Sequence, residues 1–145
     1  MFGNSLTLKR WKDIWLHEGF ACYAEWLWAE NSGGPSAHEL ARHAHTRLAR
    51  LPQDILLGDP GPKDMFDDRI YKRGALTLHV LRLRLGDERF FTLLRTWTAE
   101  HRHSNVTTEQ LTDLATRFTD QPLRPLWDAW LGATALPSLP NGRVC

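Results

Sequence analysis

The segment Ile14–Trp28 reads Ile-Trp-Leu-His-Glu-Gly-Phe-Ala-Cys-Tyr-Ala-Glu-Trp-Leu-Trp and carries the strongest structural signal of the chain. Its apolar side chains surround the axis of the predicted helix, which is typical of a helix buried on every face. Glu18 and Gly19 interrupt this pattern. Glycine costs about 1 kcal/mol relative to alanine inside a helix, so we expect another part of the molecule to approach the backbone closely at Gly19.

Glu18 has two interpretations on this pattern alone. An ionised carboxylate is almost never fully buried unless it is paired, hydrogen-bonded or bound to a metal. Glu18 therefore either pairs with an arginine or lysine, or lies on a wetter face than the pattern indicates, or it is a metal ligand. The residues around it leave these alternatives open.

Along the rest of the chain, the apolar spacing is helical nearly throughout, and it predicts an all-α fold of about six helices. The predicted helices cover about 12–31, 36–51, 70–85, 87–103 and 107–119, with a short sixth helix after Pro125. Ser36 and Glu39 have the spacing of a capping box, and Gly86 is predicted to end the third helix.

Composition excludes several classes of function. The 145 residues carry 18 Lys and Arg against 17 Asp and Glu, so there is no basic surface for nucleic acid. Two cysteines are too few for a disulfide framework. No apolar stretch reaches the ~18 residues of a membrane span, and no signal peptide is visible. We expect a cytoplasmic protein that contacts neither nucleic acid nor membrane.

The run from His38 to His43 looks like a zinc-binding motif, but its two histidines are five positions apart. On a regular helix that spacing turns them about 140° from each other, so both cannot face one ion. His38 and His45 are nearly eclipsed, and we expect them on a solvated face. His79 is predicted on the flank of the third helix and receives no role.

Two segments resemble a known family: Phe2-Gly3-Asn4-Ser5 and Trp11–Ala21. They resemble zinc aminopeptidases of the aminopeptidase N type, a branch of the gluzincins with a thermolysin-like catalytic domain. The resemblance implies that Glu18 is the third zinc ligand, nineteen positions after the second histidine of His-Glu-x-x-His. Counting back places that histidine two residues before Met1. His17 stands where the family usually has asparagine.

The segment Ile70–Leu76 resembles the family's Tyr-x-x-Gly-Ala sequence. The resemblance implies that the hydroxyl of Tyr71 stabilises the tetrahedral intermediate of peptide hydrolysis. Without the resemblance, Tyr71 is only an aromatic residue at the start of an amphipathic helix. The family's Gly-x-Met-x-Asn segment, which binds the amino terminus of a peptide, has no match here.

The resemblance implies the helical C-terminal lobe of a peptidase domain, with residues 1–140 as its truncated helical half and 141–145 as a frayed tail. Such a chain holds one of three zinc ligands and the catalytic tyrosine, and we expect it to be inactive alone. Its peptide substrate and its zinc would belong to the full-length enzyme, and the surface left by the missing half would favour self-association. The alternative is a non-enzymatic helical module that binds a partner through the Trp-rich first helix.

Overall fold

Six α-helices and one pair of very short strands form the part of the chain that the structure, a computed structural model, describes: residues 7–8, 13–58, 67–101 and 105–140. The helices are α1 (Ile14–Asn31), α2 (Ala37–Ala49), α3 (Asp68–Leu85), α4 (Asp87–His101), α5 (Thr108–Ala115) and α6 (Arg124–Trp130). A 3₁₀ turn, Thr116–Phe118, extends α5. The predicted all-α class is confirmed.

The core lies around α1 and α3, which form the most extensive helix pair of the fold. Both run for 18 residues, and α2 and α4 pack against α3 from other sides. Trp15, Phe20 and Tyr23 of α1 are almost completely buried. The helix was predicted to be buried on every face; most of it is buried, but Glu25 and Trp28 are exposed.

Local signals in the sequence account for where several helices begin and end. The hydroxyl of Ser36 accepts a hydrogen bond from the Glu39 amide at 3.1 Å, which is one half of the predicted capping box. The full reciprocal box forms instead at the start of α5, between Thr107 and Gln110. Gly86 follows α3 with a φ of 89°, a conformation that favours glycine.

The two strands, β1 (Thr7–Leu8) and β2 (Asn105–Val106), pair in parallel. They join the start of the described chain to the segment before α5. Only Thr7–Leu8 is described within the first eleven residues, and the predicted frayed tail 141–145 lies outside the described residues.

The C-terminal segment is attached to the core by a buried arginine of α3. Arg73 donates hydrogen bonds to five backbone carbonyls at 2.8–3.1 Å, which belong to Ala129, Trp130, Ala133, Thr134 and Ala135. These carbonyls lie at and beyond the C-terminal end of α6, where the helix dipole favours a cation. Arg73 thus holds the segment after α6 against α3.

None of the helices in the described part of the chain combines the length and the apolarity that crossing a bilayer requires.

Candidate metal and catalytic site

The candidate site is built where α1 crosses α3 with almost no side chain between the two backbones. A Cβ atom added to Gly19 would lie 2.9 Å from the carbonyl carbon of Gly74. A Cβ atom added to Gly74 would lie 3.0 Å from the Cα of Gly19 and 3.0 Å from the Trp15 oxygen. The close approach predicted at Gly19 is present, and its partner is a second glycine.

This crossing brings the two predicted site residues to the same region of the molecule. Glu18 directly precedes Gly19, and Tyr71 lies about one helical turn before Gly74. The negative charge of Glu18 contributes to the raised pKa of Tyr71, so the carboxylate and the phenol lie within electrostatic reach of each other.

Glu18 is half-buried, and burial raises the pKa of its carboxyl above the ordinary value. Among the described residues it has neither a hydrogen-bond nor an ion-pair partner, which removes the interpretation of a carboxylate paired with an arginine or lysine of that part of the chain. A partly desolvated carboxylate with no cation beside it among the residues the structure describes is the kind of group that a metal ion stabilises.

Tyr71 is partly buried and packs against the hydrophobic core. Burial raises the pKa of its hydroxyl, and the charges of Glu18 and Asp68 raise it further. The phenol therefore keeps its proton at neutral pH. A neutral hydroxyl at this position can donate a hydrogen bond to an oxyanion.

His17, beside Glu18, is buried with 8% of its surface exposed. Its Nε2 atom has no hydrogen-bond partner among the described residues. Burial lowers its pKa, while the charge of Asp13 acts in the opposite direction. A neutral imidazole with an unused nitrogen next to a half-buried carboxylate fits a site whose remaining polar groups come from outside these residues.

The donor set fits zinc only in part. Zinc in catalytic sites takes three protein ligands, commonly nitrogen and carboxylate oxygen. The described residues contain no group of three or more His, Cys, Asp or Glu side chains placed to hold a metal ion. Glu18 is thus suited to be one ligand of such a centre, and the described part of the chain does not complete it.

The histidines of α2 do not form a second centre. His43 is exposed, whereas Nδ1 of His38 lies 2.9 Å from Nε2 of His79. The expectation that His38 and His45 lie on a solvated face is met only in part. Both are half-buried, because α3 packs against His38 and the C-terminal segment returns to His45, whose Nε2 lies 2.7 Å from the Pro137 oxygen.

Sequence reasoning assigned no role to a buried polar network that lies between the helices. His79 is 2% exposed, and its Nδ1 lies 2.8 Å from the Tyr23 hydroxyl. Arg82 donates to that hydroxyl at 3.2 Å and forms ion pairs with Glu30 and Asp87. The spacing of apolar residues does not reveal such a network, because its polar side chains occupy buried positions at which that spacing predicts apolar ones.

Known proteins resemble this chain along most of its length. Residues 1–130 match the peptidase family M1 domain. The chain is 28% identical to aminopeptidase N of Lactococcus lactis subsp. lactis, and 27% identical to aminopeptidase M1-D of Oryza sativa subsp. japonica. Each alignment covers 94% of this chain but 17% of the relative, so the chain spans about a sixth of these proteins.

Solved structures give the same result. An M1 zinc metallopeptidase variant from Deinococcus radiodurans, solved with a Tyr-Ser-Ala substrate, superposes with a TM-score of 0.86 at 37% identity. The match covers 98% of this chain and 32% of that one. Both the sequence match over 130 residues and this superposition lead to one conclusion: the chain belongs to peptidase family M1.

Proposed function

We propose that this chain supplies Glu18 as a zinc ligand and Tyr71 as the oxyanion-stabilising residue of a zinc-dependent aminopeptidase. The observation that carries the proposal is the glycine crossing of α1 and α3. It brings together a protonated phenol and a carboxylate that has no ion-pair partner in the described part of the chain. Family membership supports the reaction class, since the relatives are aminopeptidases and zinc metallopeptidases.

Each of the two residues has a separate task. The Glu18 carboxylate would donate an oxygen to the ion, and partial burial would strengthen that interaction by excluding water. When bound, zinc supplies Lewis acidity to the carbonyl of the scissile bond and to the attacking water. The Tyr71 hydroxyl would donate a hydrogen bond to the oxygen on which negative charge develops, and its raised pKa keeps the required proton in place.

The chain by itself is expected to hydrolyse peptides slowly or not at all, because one carboxylate does not make a catalytic zinc site. The test is incubation of the 145-residue chain with an aminoacyl chromogenic substrate and zinc. Turnover that a chelator abolishes, and that Glu18→Gln also abolishes, would contradict this part of the proposal.

The role of Glu18 is tested in a fusion that places a His-Glu-x-x-His segment from a family relative ahead of Met1. Glu18→Gln should weaken zinc binding at least about tenfold, as expected for the loss of a direct ligand. Glu25→Gln, an exposed glutamate on the same helix, is the matched control and should leave zinc affinity unchanged. Equal effects of the two variants on zinc affinity would refute the ligand assignment.

In the same fusion, Tyr71→Phe should lower kcat about a hundredfold while zinc affinity stays unchanged, because one oxyanion donor is lost. A change in KM alone would argue for a role in substrate binding. Loss of zinc would instead show that Tyr71 supports the metal centre.

A second candidate function is self-association through α1, which Trp28 favours. Its ring is 74% exposed, whereas Trp15 and Trp26 of the same helix are buried in the core. Of these three indoles, Trp28 is therefore the one available to a non-enzymatic module that binds through this helix. Association through α1 requires that the mass in sedimentation equilibrium rise with concentration and that Trp28→Ser abolish this rise.

A further inference from the structure

A groove lies between α2 and the C-terminal segment. It has a volume of about 250 Å³ and is open to solvent on one side. From α2 it is lined by His38, Arg42, His45 and Thr46, and from the C-terminal segment by Ser138, Leu139 and Pro140. The four α2 residues follow one another at spacings of four, three and one positions, so they lie on one side of the helix.

Both walls of the groove are held in place by hydrogen bonds. His45 contacts the Pro137 carbonyl through Nε2 at 2.7 Å, so this nitrogen carries the proton and donates it. The Leu136 amide donates to the Gln53 side chain at 2.8 Å. Arg73 binds the carbonyls that precede this segment. The groove is therefore formed before any ligand arrives.

The hydrogen bonds behind the groove favour one protonation pattern of His38. Arg82 can only donate, so the Tyr23 oxygen accepts from it; of the two neutral tautomers of His79, the one with an unprotonated Nδ1 also gives the single Tyr23 hydrogen an acceptor. Neutral His79 then carries its proton on Nε2 and donates to Nδ1 of His38 at 2.9 Å. Neutral His38 accordingly carries its own proton on Nε2, the nitrogen not engaged with His79.

Among the residues that line the groove, the permanently charged side chain is that of Arg42, which is exposed. Burial lowers the pKa of His38, and the positive charges of Arg42 and Arg82 lower it further, which indicates a positive potential at the imidazole. The groove combines a guanidinium, an imidazole N–H and two hydroxyl groups, which together favour an anionic ligand with oxygen acceptors.

We propose that the groove between α2 and residues 138–140 binds a small oxyanion, either a phosphate or a carboxylate group, between the guanidinium of Arg42 and the Nε2–H of His38. Thr46 and Ser138 add hydroxyl donors to the lining. The proposal does not depend on the zinc site, because none of its lining residues belongs to the crossing of α1 and α3.

The test is a titration of the 15N-labelled 145-residue chain with inorganic phosphate, followed through the imidazole resonances of His38 and His45 at constant ionic strength set by chloride. We expect saturable shifts of both. Arg42→Gln should raise the Kd about tenfold, the usual effect of losing one charged hydrogen bond. Arg47→Gln removes the same charge from an exposed position of α2 outside the groove and should leave the Kd unchanged.

Acetate titrated in parallel identifies the kind of oxyanion. Tighter binding of phosphate supports a phosphoryl group as the ligand, whereas equal affinities support a carboxylate. Shifts that do not saturate, or equal effects of Arg42→Gln and Arg47→Gln, would overturn the proposal. The 15N shifts of His38 give an independent check, because a proton on Nδ1 in place of Nε2 would remove the proposed donor.

Discussion

At the scale of single residues, the absence of one Cβ atom decides where the candidate site forms. Gly19 interrupts an apolar helix, and that interruption predicted a close contact. The identity of its partner, Gly74, was not predictable from helical periodicity, which says nothing about which two helices cross. Because the contact joins two backbones, no rotamer change can relieve an added methyl group.

Gly19→Ala is therefore expected to destabilise the protein by about 1–2 kcal/mol, although alanine is the better helix former. Urea denaturation measures the free energy of unfolding. Ala99→Gly, at an exposed position of α4, calibrates the helix-propensity contribution alone. A Gly19→Ala variant more stable than the natural chain would show that the two helices separate easily at this point.

Arg73 is a buried residue whose structural role the sequence patterns do not indicate. It lies directly before Gly74, inside α3, and it is 7% exposed. Loss of solvent lowers the pKa of its guanidinium, and five carbonyl oxygens replace the water. Arg73 has no carboxylate partner among the described residues, and the carboxyl end of α6 stabilises its charge instead.

Arg73→Met should lower the free energy of unfolding by about 3 kcal/mol, because several backbone carbonyls lose their donor at once. Arg84→Met on the same helix is the matched control, since Arg84 is exposed and has a single long hydrogen bond of 3.5 Å. We expect a change below about 0.5 kcal/mol for it. Equal effects in urea denaturation would mean that the carbonyl contacts contribute little.

At the scale of elements, the helices were predictable because their signals are local. The first helix, its stop near Asn31 and the Ser36 cap all agree with the structure. The faces of α2 were predicted less well. His38 and His45 were expected in solvent, but one ring nitrogen of His38 contacts α3 and one of His45 contacts the returning C-terminal segment. Both contacts join residues more than 40 positions apart.

The network that joins α1, α2, α3 and α4 predicts a pH dependence of stability. Burial, assisted by the neighbouring His38 and Arg82, lowers the pKa of His79 from 6.5 to about 3. Tyr23 and Glu30 from α1 and Asp87 from α4 are the other titratable groups of this network. His79 is therefore neutral in the folded chain and takes up its proton in the unfolded one.

Because the unfolded chain binds more protons below pH 6.5, the stabilisation due to neutral His79 is fully present above that pH and is lost as the pH falls toward 3. The expected slope is at most about 1.4 kcal/mol per pH unit. Urea denaturation between pH 7 and 4.5 should show it, and His79→Gln should flatten it. His43→Gln, at an exposed histidine, should leave the slope as it is. An unchanged slope in His79→Gln would contradict this account.

At the scale of the whole molecule, this chain matches family M1 over most of its own length and a third or less of its relatives. Its described residues bring together one candidate metal ligand and one candidate oxyanion donor. The division into a helical half, residues 1–140, and a tail stays a prediction, as do the roles of Glu18 and Tyr71.

Trp28 provides a prediction about the assembly of whole chains. If α1 mediates self-association, Trp28→Ser should abolish any concentration dependence of the mass in sedimentation equilibrium, because this ring is the most exposed large apolar group described. Leu51→Ser, at the other exposed large apolar residue, should have no such effect. A mass that depends equally on concentration in both variants would exclude Trp28 as the contact.

The order and approximate bounds of the helices, the Ser36 cap, the Gly86 end and the burial of most of α1 follow from the sequence, because hydrogen bonds and apolar spacing within a helix involve only neighbouring residues. Through its resemblance the sequence also indicated the family, Glu18 and Tyr71. Three contacts follow from the tertiary structure instead: Gly19 packs against Gly74, Arg73 holds the segment after α6, and His38 forms a hydrogen bond with His79. These contacts join residues far apart in the chain, and they form only where the packing of whole helices brings the atoms together.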